Sequence, residues 1–241
     1  MILTTGNTAK LYCLNWLEQL IQSRTEPLSI LDLGCGQAKN FTVLLHRYPQ
    51  TTYVGIEPSP SECAIARREL AGLKAEIMQG YGYNVYARLG RRFDVVISFS
   101  VLEHVYRRVD YLKSAKDCLA PDGHFLINYD SGHFVAGGVR DRAKNLIGPI
   151  MARLGQERYY QSLVREADFQ AMLKQVGLRI VEEKVFNTRL KGLYKLIPPA
   201  QREAYMQRWL DFELFVNTLG LPYEDKHAGT FFTRNFILCH A

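Results

Sequence analysis

The sequence predicts an α/β fold built on a doubly wound, mostly parallel sheet. Short apolar runs alternate with segments of helical apolar spacing along most of the chain. One of those runs, Ile30-Leu-Asp-Leu, breaks into Gly34-Cys-Gly36, which is how a buried strand delivers its backbone to a ligand. A second run, Tyr53-Val-Gly-Ile, ends in Glu57, about twenty residues after the glycine turn, the distance at which an acid accepts ribose hydroxyl hydrogen bonds in nucleotide-binding sheets.

Taken in order, an amphipathic helix over Thr8–Ser23 carries Leu14, Leu17 and Ile21 in register and is expected to cover the cofactor edge. The first strand spans about 29–33. Behind the glycines, Phe41, Leu44, Leu45 and Tyr48 lie at helical spacing. The second strand spans 53–57, and Ser59-Pro-Ser-Glu62 reads as a helix start, with Ser59 as N-cap, Pro60 at the first helical position and Glu62 closing a capping box. Further strands are expected near 75–79, 93–99 and 124–129, with Pro121-Asp-Gly123 turning the chain into the last of these. A helix over Arg165–Val176 presents Phe169, Met172, Leu173 and Val176 on one face, with Gly177 as its C-cap. Strands near 179–187 and 230–239 follow.

Two segments, 131–165 and 189–228, fall outside this alternation. The first carries Gly137-Gly138, the basic group Arg140, Arg142 and Lys144, and Tyr159-Tyr160. The second has helical spacing through Tyr205, Trp209, Phe212 and Phe215. Both emerge where ligands bind in open α/β sheets, so they read as helical lid insertions over an acceptor pocket; the alternative is a satellite core that holds the insert together. The expected organisation is a single domain over 1–241, with a cofactor core at 1–130, 166–188 and 229–241.

A chain of 241 residues with 47% hydrophobic content buries the core of one such domain. Its five cysteines, at 13, 35, 63, 118 and 239, form no C-x-x-C pair and no zinc spacing, which argues for reduced thiols and no metal. The absence of a basic leader and of any apolar run of membrane length leads to the expectation of a cytoplasmic protein without membrane contact. The formal charge is +6. Basic residues come in short groups such as Arg67-Arg68 and Arg107-Arg108 rather than in a sustained run with interleaved aromatics, so a solvated surface is the favoured explanation and an acidic or phosphate-bearing acceptor the alternative.

A nicotinamide enzyme would also place an acid near Glu57, but its turn runs G-x-G-x-x-G, whereas this chain reads Gly34-Cys-Gly36-Gln-Ala-Lys39. The Asp32-Leu-Gly34-Cys-Gly36 core, the later Glu57, and Phe93-Asp-Val-Val-Ile-Ser98 followed by Val101-Leu-Glu-His-Val105 together resemble the class I S-adenosylmethionine-dependent methyltransferases. The resemblance covers roughly 29–130 and resumes over 166–188. It implies a seven-stranded sheet of order 3-2-1-4-5-7-6 whose last two strands form an antiparallel hairpin, and S-adenosyl-L-methionine as cofactor.

Carried onto this chain, the resemblance implies that Gly34, Cys35, Gly36 and Gln37 bring backbone to the methionyl part while Asp32 helps satisfy its ammonium. Glu57 takes the ribose, Pro58 flanks adenine, and Phe99 and Ser100 complete the pocket wall. The third strand runs on into Met78-Gln-Gly80-Tyr81-Gly82. Tyr81 stands where the family commonly has an adenine-binding Asp, leaving base contacts to the backbone of Gly80–Gly82, and Ala38 replaces a third glycine. Ser100 also stands where metal-binding subfamilies have the first acid of Glu-x-x-Glu-His.

Methyl transfer is an in-line displacement at a carbon activated by the sulfonium, so alignment supplies much of the rate. An acceptor that loses a proton needs a base, and His104, Asp130 and His133 are the candidates; His104 alternatively shapes the cofactor pocket, and Asp130 alternatively caps a turn. Tyr129, Arg140, Arg142, Tyr159, Tyr160, Tyr205, Trp209 and Phe212 are the expected acceptor contacts. The leading functional expectation is methylation of an O or N atom of a small molecule. A nucleic-acid or protein methyltransferase and a catalytically silent cofactor-binding partner subunit are the alternatives.

Overall fold

The computed structural model describes residues 7–130, 147–157, 160–187, 191–221 and 233–241. Seven strands form one sheet of order β3-β2-β1-β4-β5-β7-β6. They are β1 (Ser29–Leu33), β2 (Thr52–Glu57), β3 (Ala75–Gln79), β4 (Phe93–Phe99), β5 (Leu119–Asp130), β6 (Leu178–Phe186) and β7 (Thr233–His240). The first five pair in parallel, while β7 runs antiparallel to both β5 and β6. The central strands β1, β2 and β4 are apolar almost without interruption because helices bury both faces.

On one face lie α1 (Thr8–Ser23), α2 (Lys39–Arg47) and α3 (Pro60–Glu69), whose Leu14, Phe41 and Cys63 join Ile30, Val95 and Ile97 in one core cluster. The other face is covered by α4 (Val85–Leu89), α5 (Arg108–Asp117) and α7 (Glu166–Val176), where Tyr111, Leu112 and Phe169 pack on Val96, Ile127 and Phe236. Helical residues 147–153, α6, precede α7. Between β6 and β7 come a short α8 (Lys191–Tyr194) and the long α9 (Arg202–Thr218).

The local signals explain the boundaries. Asn7 caps α1 by accepting from the Lys10 N–H at 3.1 Å, and Ser59 caps α3 through the Glu62 N–H at 3.4 Å. Gly177 ends α7 in the left-handed conformation with φ +69°. Three expectations change. The fifth strand starts at Leu119, five residues early: Pro121-Asp-Gly123 is absorbed as an irregularity between the pairs Phe93↔Leu119 and Val95↔His124. The helix α1 lies along a face of the sheet against β5, β6 and β7 rather than across its edge. Only its first turn reaches the strand ends, where Asn235 Nδ2 donates to the Ala9 carbonyl at 2.8 Å.

The third change concerns α9, which is packed on α1 and β6. Glu213 in its middle accepts from the Thr8 hydroxyl and from the Asn187 N–H, and Asn217 bonds both the N–H and the carbonyl of Val185 at 2.9 Å. Burial of Met206, Trp209 and Leu210 fixes the orientation of the helix. The segment 160–164, by contrast, is fastened to the strand-end edge. Ser162 donates its N–H to the Glu103 carbonyl at 2.9 Å, and the Arg108 guanidinium bonds the carbonyls of Ser162, at 2.7 Å, and of Leu163 and Leu102, both at 3.1 Å. No helix among the described residues is long and apolar enough to cross a membrane.

Candidate active site

The sheet order places β1 beside both β2 and β4, so successive crossovers leave in opposite directions there and open a crevice at the strand ends. A cavity of about 480 Å³ occupies it, within the range of cofactor pockets. Its floor is the glycine turn. Gly34, at φ +84°, donates its N–H to the Ile56 carbonyl at 2.8 Å, and a Cβ there would meet Val101 Cγ2 at 2.5 Å. Gly36, at φ +54°, has nothing within 4 Å of where a Cβ would stand, so the turn is tight on one side and open on the other. Ala38 holds the same left-handed conformation, φ +55°, without being a glycine.

Glu57 is locked to this turn. Its Oε2 accepts the Gly36 N–H at 3.0 Å and its Oε1 the Ser59 N–H at 2.9 Å. Each oxygen keeps a second lone pair for a ligand hydroxyl. The Ser59 N–H is thereby taken by Glu57, so Glu62 does not complete the reciprocal half of the expected capping box. Asp32 is buried behind the turn, where it accepts from the Tyr53 hydroxyl at 2.8 Å, and burial pushes its carboxyl up to about 7. Burial likewise raises the Cys35 thiol.

Of the expected cofactor residues, Gly34, Glu57, Pro58, Tyr81, Gly82 and Ser100 line the cavity. Asp32, Cys35, Gly36, Gln37 and Gly80 stand behind or beside it and form the turns that shape its wall. Phe99 is a correction: it is 8% exposed and stacks on Phe41, with ring centroids 6.4 Å apart, because its side chain belongs to the α1 face of the sheet.

At the end of β4, Ser100 is held at φ +60° with its N–H on both the carbonyl and the side-chain Oδ1 of Asn128, at 2.9 and 3.0 Å. The 3-10 turn Leu102–His104 follows. Glu103 is buried and accepts the Asp130 N–H at 3.3 Å; desolvation pushes its carboxyl up to about 7. His104 is exposed at the cavity wall, its Nδ1 3.3 Å from the Tyr160 carbonyl. Asp130 ends β5, half-buried. Tyr160 packs edge-on to Tyr106 at 5.2 Å and shares a hydrogen bond with Ser162. His133, Arg140, Arg142 and Tyr159 lie outside the described residues.

Four expected acceptor contacts are placed elsewhere. Tyr129 is fully buried on the α7 face, between Phe169 and Phe236 at 5.1 and 5.8 Å, because alternation along β5 turns it away from the α1 side. Trp209, 5% exposed, anchors α9 in the core, and with Tyr205 and Phe212 it lines a separate cavity of about 600 Å³ bounded by Ile197, Gln201 and Arg208. The two cavities share no lining residue. Trp209 is therefore a packing residue, while Phe212 and Phe215 of the same stripe are exposed, a difference that periodicity alone does not reveal.

Several wall residues were not singled out from the sequence: Tyr83, Val101, Val105, Tyr111 and Glu157. Tyr111 reaches under the glycine turn, its hydroxyl on the Leu33 carbonyl at 3.1 Å and on Ser98 at 2.8 Å. Glu157 arrives from the first insert and accepts from the Tyr83 hydroxyl at 2.6 Å and the Tyr106 N–H at 3.3 Å. The Arg107 guanidinium lies 4.2 Å over the Tyr83 ring. Val101 follows a strand of recognisable type and could have been found from that position; Glu157 carries no local signal.

Comparison with known proteins agrees with this geometry. Residues 7–183 match the family model described as a methyltransferase domain. Trans-aconitate 2-methyltransferase of Acidovorax sp. (strain JS42) is 26% identical over 239 residues, covering 90% of this chain and 88% of the relative. Ubiquinone biosynthesis O-methyltransferase of Azorhizobium caulinodans is 31% identical over 103 residues, 42% of this chain and 40% of its own length. Among solved structures, the plantazolicin methyltransferase BamL in complex with a triazolic desmethylPZN analog and SAH superposes with a TM-score of 0.57 at 15% identity, over 97% of this chain and 84% of that one.

Proposed function

Because this chain belongs to the methyltransferase-domain family, we propose that its acceptor is a small molecule, methylated on an oxygen or nitrogen atom. The enzyme itself is an S-adenosylmethionine-dependent methyltransferase. The cofactor supplies a methyl group on a positively charged sulfur when bound. The residues present suit it: the open side of Gly36 gives backbone access, and Glu57 is pre-set by two main-chain N–H groups with lone pairs left for ribose. Asp32 behind the turn supplies a carboxyl whose ionisation a ligand ammonium would favour.

The observation that carries the small-molecule reading is the match to trans-aconitate 2-methyltransferase over nine-tenths of this chain. The distribution of basic residues supports it. Arg67 bonds the Ile77 carbonyl, Arg88 the Gln79 and Tyr81 carbonyls, and Arg108 the 162–163 backbone; Arg24, Arg47 and Arg91 pair with Asp94, Glu18 and Glu76. Side chains committed in this way do not form a phosphate-tracking stripe.

On this reading His104, at the cavity wall and within reach of the Tyr160 carbonyl, accepts the acceptor's proton, with Asp130 and His133 as the other candidates. The segment 160–164 is fastened beside it through Arg108 and the Glu103 carbonyl. The test is transfer of labelled methyl from the cofactor to a metabolite extract, with trans-aconitate and hydroxylated quinone precursors as single acceptors, against bulk tRNA, rRNA and protein at matched salt. Label in the small-molecule fraction is expected. Label confined to a macromolecular fraction, and falling steeply as salt rises, would move the assignment to a nucleic-acid acceptor.

A further inference from the structure

We infer that Glu157 reads the exocyclic amino group of the cofactor's adenine, replacing the acidic acceptor that the β3 end lacks. Among the described residues, two carboxylates line the cavity, Glu57 and Glu157. Glu57 sits at the glycine turn with one main-chain N–H on each oxygen, which commits it to that end of the cavity. The lining also includes Pro58, Pro60, Val101 and Val105, and Tyr81, Gly82 and Tyr83 after β3. A planar base fits between such apolar walls, and its amino group then needs an acceptor. Tyr81 is a poor substitute for a carboxylate there.

Glu157 meets the need with a fixed geometry. Its Oε2 takes both available bonds, from the Tyr83 hydroxyl at 2.6 Å and the Tyr106 N–H at 3.3 Å, while its Oε1 makes none among the described residues. Tyr83 is itself steadied by Arg107 over its ring and by Tyr111 edge-on at 6.3 Å. One oxygen is thus anchored by the protein and the other is left for a ligand N–H. Glu157, on the described residues that precede α7, thereby contributes to base recognition.

The reading is tested by calorimetry with S-adenosylhomocysteine and with its deaminated counterpart S-inosylhomocysteine, which presents a carbonyl oxygen where adenine has the amino group. The native enzyme should prefer the adenosyl ligand by roughly 10- to 100-fold, the worth of one hydrogen bond to a charged group. Glu157→Gln should bring the two ligands to similar affinity, because an amide can donate to the carbonyl as readily as it accepts from the amine. Glu57→Ala should weaken both ligands alike and leave their ratio unchanged. If Glu157 only anchors its segment, Glu157→Gln and Tyr83→Phe will weaken both ligands equally and the native ratio will persist, which overturns the inference. A native enzyme that does not distinguish the ligands overturns it as well, and binding of neither would count against the cofactor itself.

Discussion

Substituting Gly34 by alanine tests whether the glycine turn serves the fold as much as the ligand. The added Cβ would stand 2.5 Å from Val101 Cγ2 and 3.1 Å from Cγ1, a contact that forces Val101 or the turn to move. Overpacking of this kind costs about 1–3 kcal/mol. The backbone at φ +84° adds about 1–2 kcal/mol for a residue with a Cβ. Reduced freedom of the unfolded chain returns about 0.4–1 kcal/mol, so Gly34→Ala should lose about 1.5–4 kcal/mol of stability. Urea unfolding of Gly34→Ala, Val101→Ala and the double variant separates the two contributions. Val101→Ala removes both offending methyls, so the double variant should be more stable than the sum of the singles by about 1–3 kcal/mol. A single substitution costing under about 0.5 kcal/mol, or a cycle with no coupling, would refute the packing argument and leave Gly34 as a ligand-contact residue alone.

Ala38→Gly should stabilise the protein by about 0.5–1 kcal/mol, the relief of its left-handed backbone less the greater freedom of glycine when unfolded; a lower melting temperature would contradict this. The pH profile of stability tests Asp32. Its carboxyl is raised by burial to about 7 in the folded state, so the folded protein holds this proton more tightly than the unfolded chain does. The associated stability is complete below the ordinary carboxyl value of about 4 and is lost as pH rises through about 7. Asp32→Asn should therefore flatten the decline in urea midpoint between those values, while Glu103 and Glu213, also raised to about 7, keep part of the slope. An unchanged profile would place the titration elsewhere.

The sheet was readable from the sequence because its central strands are apolar runs bounded by specific chemical signals. Gly34 and Gly36 mark the end of β1, Glu57 and Ser59 the end of β2, and Gly177 the start of β6. Where the signal was ambiguous the reading slipped: Pro121-Asp-Gly123 looks like a turn, yet the sheet tolerates it as a bulge within β5. The site was half legible. Residues on the strand ends could be placed because spacing along the chain determines them. Tyr129 could not, since alternation along β5 puts it with Phe125 and Ile127 without saying which face a ligand reaches. The α9 stripe of Tyr205, Trp209 and Phe212 shows the same limit, as amphipathicity requires burial without saying what does the burying. Glu157 was invisible, because its partners Tyr83 and Tyr106 lie far away in the chain and only the fold brings them together.

The position of β7 constrains how the polypeptide acquires this shape. It is interposed between β5 and β6, and among the described residues β6 has no other strand neighbour. A nascent chain can assemble the parallel strands from β3 across to β5 as they emerge, but β5 then presents an open edge carrying Phe125, Leu126 and Ile127, and β6 with α7 has nothing to pair with. Both wait for residues 233–240. During that interval the exposed edge is a template for unwanted pairing with other chains, and a ribosome stalled before the last strand would hold a half-sheet. Arrival of β7 closes the edge and recruits β6 in one step, with Asn235 on the Ala9 carbonyl joining the last strand made to the first helix.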